Sequence, residues 1–141
     1  MRFLVLLLLS ALLVGSVATF PAWAATYRSS WTKLATPGVP VVAYQGDDVG
    51  DDCTALDVPT VEVVSPPRHG QTFAAQAKVL PHFPATNSHA RCNDTLVDGI
   101  YLYYRSDPAF LGEDHLTVRS KGADRLFEVD VTIRVVRRND L

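Results

Sequence analysis

Glu113, Asp114 and His115 stand side by side in the stretch SDPAFLGEDHLTV, and two carboxylates beside an imidazole are the raw material of general acid/base catalysis. The residues that follow argue against it. Leu116 and Val118 alternate with His115 and Thr117, the period-two pattern of a strand, and neighbouring side chains on a strand point to opposite faces. Three adjacent groups therefore cannot converge: Glu113 and His115 share one face, and Asp114 points with Leu116 and Val118. A structural role fits better. Gly112 permits a turn conformation closed to other residues, and Asp114 is placed to accept backbone N–H groups from the preceding loop, closing a corner between two strands.

Metal chemistry has two further candidate sets. Asp47, Asp48, Asp51 and Asp52 crowd together in QGDDVGDDC, and calcium favours several carboxylate and carbonyl oxygens. Their spacing is not that of an EF-hand loop, so a solvated acidic loop is the plainer alternative. His82, His89 and Cys92 lie within HFPATNSHARC. With His115 brought across, the histidines would suit a transition metal, and hence a small metal-handling protein or enzyme. Against that stands a disulfide between Cys53 and Cys92, the single pairing that two cysteines allow. No G-x-S-x-G, P-loop or H-E-x-x-H pattern is present, and we expect a protein that is not an enzyme. Calcium at the acidic loop is the one cofactor the residues suggest.

The elements that must position these residues begin after an export leader. Arg2, the apolar run from Phe3 to Val14 and the small-residue ending Ala22-Trp23-Ala24 form a signal peptide over residues 1–24. The run is about 12 residues, short of the roughly 20 that span a bilayer, so no membrane span is expected in the mature chain. Residues 25–141 are one domain's worth of chain. The leader holds one basic and no acidic residue, so 13 basic and 15 acidic residues in the chain become 12 and 15, a net charge of −3. That balance offers no basic patch to nucleic acid. Export to an oxidising compartment, periplasm or medium, favours the disulfide.

Period-two alternation recurs along the domain. It is clearest in LFEVDVTIRVV, where Phe127, Val129, Val131, Ile133 and Val135 alternate with polar residues. Phe73, Ala75, Ala77 and Val79 fall on one side of TFAAQAKVL. Ile100, Leu102 and Tyr104 oppose Tyr101 and Tyr103, whose rings form a possible binding surface for a protein or a glycan. With YRSSWTKLA, VPVVAYQ, TVEVVS and DHLTVRS, about seven strands are predicted between Pro/Gly/Asp-rich turns. Long amphipathic helices are not. The fold class is all-β, an Ig-like antiparallel β-sandwich.

SPPRHGQ, followed by YYRSDPAFLGEDHLTV and a long alternating strand, resembles the bacterial immunoglobulin-like and cadherin-like repeat domains of exported proteins. The matching positions are Pro66, Pro67, His69 and Gly70, then Tyr104, Pro108, Phe110, Gly112, Asp114, Leu116 and Val118, within roughly Val61 to Val136. Pro66 and Pro67 impose an extended approach to the turn and Gly70 releases the chain into the next strand. Such domains usually recur in tandem, whereas one copy is present here, and the cysteine pair and the segment PHFPATNSHARCNDTL depart from the pattern. The resemblance implies a non-catalytic binding or structural module of the bacterial envelope, or a calcium-stabilised cadherin-like module using Asp47 to Asp52. It fixes no oligomeric state. The mature chain is expected to begin at Ala25, which an intact-mass measurement on protein recovered from the exported fraction checks.

Overall fold

The computed structural model describes residues 26–123 and 125–140, so the leader expected at residues 1–24 lies outside the described residues. Seven strands run in chain order: β1 (Thr26–Ala35), β2 (Val41–Asp47), β3 (Thr60–Ser65), β4 (Gly70–Val79), β5 (Val97–Ser106), β6 (Gly112–Lys121) and β7 (Leu126–Val135). The only helical pieces among the described residues are two short 3-10 turns, Ser88–Cys92 and Arg138–Asp140. None is long and apolar enough to cross a membrane.

The strands form two sheets, β1-β7-β6-β3 and β2-β5-β4. An immunoglobulin constant-type sandwich keeps its second, fifth and fourth strands in one sheet and its third, sixth and seventh in the other. The same division holds here, with the first strand moved to the larger sheet. That move makes β1–β7 the one parallel pair among the described residues, in register from Thr26↔Leu126 to Ala35↔Val135, with the other strand pairs antiparallel.

The core forms where the alternating faces meet. Leu116 and Val118 of β6 and Val129, Val131, Ile133 and Val135 of β7 close on Ala43 and Tyr44 of β2 and Leu102 and Tyr104 of β5. At the side where β1 faces β2, Trp31 stacks on Tyr44 with centroids 6.0 Å apart, and its Nε1 donates to the Ala43 carbonyl at 3.1 Å. This bond ties the two sheets along that edge.

A second, smaller cluster holds Val49, Val79, Cys92 and Val97, with Phe83, Ala77 and Tyr101 packed against it. Cys53 is bonded to Cys92 with a Cα–Cα distance of 5.3 Å. The bridge joins the β2–β3 loop to the segment before β5. Four buried residues make a small core, and cross-linking a loop of 39 residues removes denatured-state entropy equivalent to about 4 kcal/mol in the chain-entropy model. Reductant, or the C53A/C92A double variant, is expected to lower the melting midpoint by about 15 °C. A calorimetric melt checks this.

Candidate functional site

The corner at Asp114 is built from three separate segments. Asp114 lies on β6 and is only 2% exposed. One carboxylate oxygen accepts the backbone N–H of Arg68 at 2.9 Å and of His115 at 3.0 Å. The other accepts the N–H of His69 at 2.9 Å and the hydroxyl of Tyr104 at 3.0 Å. The Arg68 and His69 donors come from the β3–β4 turn, not from the preceding loop as expected, because the sandwich brings that turn, some 45 residues away in sequence, over the start of β6. The preceding loop contributes differently: the Phe110 ring stacks on His69 at 4.2 Å, and Gly112 takes a φ of 130°, a backbone conformation that side chains disfavour.

Gly70 is required for a different reason. A Cβ there would lie 2.6 Å from the Arg105 carbonyl and from the Tyr104 ring, so the turn can reach β5 only without a side chain. Pro67 sits in the turn with no cis bond. Burial pushes the Asp114 pKa up, but the donors from Arg68, His69, Tyr104 and His115 outweigh it and hold the carboxyl below its ordinary value. Burial first, then the bond to Asp114 and its charge, push the Tyr104 phenol well above its ordinary value. Every lone-pair direction of the carboxylate is committed, so the corner is a clasp and not a reactive centre.

The acidic loop is not gathered around a common point. The Asp47 carboxylate accepts from Gln45 at 3.0 Å. Asp48 accepts the N–H of Ala123 in the β6–β7 turn at 2.8 Å. Asp52 caps the N–H and hydroxyl of Thr54 at 3.1 and 2.6 Å. The Asp51 side chain is 96% exposed and meets His89 at 3.1 Å. The histidines are dispersed as well, with His82 3.5 Å from the Gln45 amide and His115 3.2 Å from Thr132. Among the described residues no group of three or more His, Cys, Asp or Glu side chains is placed to hold a metal. The calcium set Asp47, Asp48, Asp51 and Asp52 and the histidine set are therefore not assembled, because each member answers to a different neighbour.

The two outer faces of the sandwich differ in kind. On the larger sheet the cross-strand pairs are polar and mutually satisfied: Glu113 with Arg134 at 3.0 Å, His115 with Thr132, Thr117 with Asp130 at 2.7 Å and Arg119 with Glu128 at 3.1 Å. This is where Glu113 and His115 go. On the smaller sheet Phe73 pairs with Tyr103 and stacks on it at 5.0 Å, and Tyr103 meets Tyr101 edge-on at 5.9 Å. Phe73 is 46% exposed, and Gln71 and Arg105 flank the row as a cross-strand pair. The apolar side of β4 thus faces outward, since its register sets Phe73 beside Tyr103 and leaves Leu102 and Tyr104 to the core. Its far end, Ala77 and Val79, is covered by the disulfide-linked loops. Tyr101 likewise leans on that second cluster, so Phe73 is the exposed ring of the row and the two tyrosines are half-buried.

Sequence reasoning singled out Tyr101 and Tyr103 but not Phe73. The signal for Phe73 was its alternation with polar residues, whose direction only the pairing with β5 reveals. A cleft of about 750 Å³ also opens between β1 and β2, lined by Trp31, Tyr44, Phe83 and Phe127 together with Asp47 and His82. Burial raises the Asp47 pKa there, with the Gln45 bond and His82 acting in the opposite sense. No family model, curated protein or solved structure matches the chain.

The clasp sets the acid behaviour of the fold. Because the folded-state pKa of Asp114 is depressed, its contribution is complete above the ordinary carboxylate pKa and is lost as pH falls through the folded value. Tyr104 acts oppositely: its phenol is raised, so its contribution holds below about pH 10 and fades as pH climbs through the folded value. D114N, which leaves buried backbone donors facing an amide, is expected to lose about 3 kcal/mol at neutral pH and Y104F about 1 kcal/mol. Denaturant titrations from pH 7 to pH 2 should show the gap between D114N and the parent closing with acid.

Proposed function

We propose that the chain is a small exported, Ig-like, non-catalytic binding module of the bacterial envelope, akin to single bacterial immunoglobulin-like or cadherin-like repeat domains. The observation that carries this reading is the contrast between its outer faces. Apart from the isolated Leu34 on β1, the larger sheet meets solvent with a ladder of paired polar groups. The smaller sheet meets it with the row Phe73, Tyr103 and Tyr101, flanked by Gln71 and Arg105.

Contiguous aromatic surface rimmed by polar groups is costly to leave in water and marks interaction sites on soluble domains. Rings that lie along a sheet can stack on the apolar face of a sugar, while an amide and a guanidinium reach its hydroxyls. A glycan therefore suits this face better than a nucleic acid, since the acidic net charge opposes phosphate. A protein partner is the other outcome. The disulfide and the Asp114 clasp keep the platform rigid, so binding carries little ordering cost.

The test titrates the purified chain with a soluble β-linked oligosaccharide such as chitotetraose, followed by amide NMR shifts. Shifts confined to β4 and β5 are expected, and F73A and Y103A should each weaken binding about tenfold. If the oligosaccharide moves no resonance on this face, the glycan reading fails and the search turns to envelope proteins.

A further inference from the structure

The two sheets leave four strand edges, β1 and β3 on one and β2 and β4 on the other. Exposed edges carry unpaired N–H and C=O groups and recruit further strands unless charges, prolines, bulges or a short length prevent it. Three of the four are protected in these ways. β1 carries Lys33 and, ion-paired with Glu128, Arg28. β3 is only six residues long, holds Glu62, breaks register between Val63 and Ser65 and runs into Pro66 and Pro67. β2 breaks register between Val42 and Tyr44 and has Trp31 bonded to its Ala43 carbonyl.

β4 has no proline, no bulge and no short length to protect it. It is ten residues long, GQTFAAQAKV, and pairs with β5 without a break from Gly70↔Ser106 to Val79↔Val97. Its one charge, Lys78, is ion-paired with Asp98 at 2.9 Å. Phe73, Ala74, Ala75 and Gln76 are all exposed in succession. Since neighbouring residues point to opposite faces, the middle of β4 is open on both faces as well as along its edge.

We infer that β4 pairs antiparallel with β4 of a second copy of this chain, joining two three-stranded sheets into one of six, ordered β2-β5-β4-β4-β5-β2. An antiparallel strand pair is self-complementary about a twofold axis, the symmetry of most dimers. The strand is neutral at its centre, so the two copies oppose no like charges. A twofold axis at Ala74 or Ala75 sets each Phe73 ring beside an alanine of the other copy on the same face, where the small side chain leaves room for it. Growth stops at two, because the outer strands of the joined sheet are the bulged β2. The joined sheet leaves its outer face open and lays two aromatic rows side by side. This self-association goes beyond the binding reading above and does not depend on any ligand.

The test is sedimentation equilibrium of the purified full chain, without oligosaccharide, from about 1 to 100 µM, the range that weak strand-paired dimers occupy. A twofold mass is expected at the upper end. A75K and A75E, both at an exposed site, should each weaken association at least tenfold with the monomer melt unchanged, while A75T should leave it intact. An equimolar mixture of A75K and A75E should recover association, because opposite charges then meet directly or diagonally across the pair. The A74K and A74E pair repeats the test on the opposite face should Ala75 prove sensitive to substitution. A chain that stays monomeric throughout overturns the proposal. So does a dimer that A75K and A75E leave untouched, or a mixture that associates no better than either variant alone.

Discussion

One desolvated carboxylate governs the architecture. Asp114 is buried and has no ion pair among the described residues, and an ion so placed is tolerable only when its oxygens are fully hydrogen-bonded. Its donors come from the β3–β4 turn, from β5 and from its own strand, so satisfying it fixes how the chain crosses between the sheets. Each bond to the charged group contributes roughly 1.5–3 kcal/mol, a large fraction of the 5–15 kcal/mol that holds a domain together. The constraint spreads outward. Tyr104 must stand in the core with its hydroxyl at the carboxylate, and its ring then leaves no space for a side chain at position 70. His69, held by its backbone, offers its ring to Phe110.

The opposite end of the sandwich is held by other means. There the strands diverge into the acidic β2–β3 loop and the long β4–β5 connection, which offer few apolar side chains. The Cys53–Cys92 bridge and the small cluster around Val49, Val79 and Val97 compensate. The aspartates serve the same end: Asp48 reaches the β6–β7 turn, Asp52 caps its own loop, and Asp51 meets His89 while its carbonyl accepts from Arg91. Each of these carboxylates thus has its own partner, although the charge of Asp48 still helps to raise the Asp47 pKa.

Between the two ends lie the outer faces of the two sheets, and a sandwich of this kind supports many activities and specifies none. The larger sheet neutralises its own outer surface rung by rung. The smaller sheet does not: among the described residues its aromatic row has no covering element at Phe73, and its β4 edge has only the ion-paired Lys78 to blunt it. Both features are on one strand and its neighbour, so exposure on this side is a property of the sheet and not of a stray residue.

Much of this was legible in the amino-acid order. Alternation, β-branched runs and turn residues located about seven strands, alternation placed Asp114 with Leu116 and Val118, and counting left Cys53 and Cys92 one pairing, because these are consequences of local geometry and number. Alternation also divided β4 into an apolar and a polar side, yet it could not tell which side faces in. That sign is set by the strand's partner, and pairing with β5 turns Phe73 outward. The donors for Asp114, the parallel β1–β7 pair and the separation of the four aspartates were equally out of reach. Each depends on segments tens of residues apart being brought together or held apart by the crossing of the sheets, and only the folded chain decides those encounters.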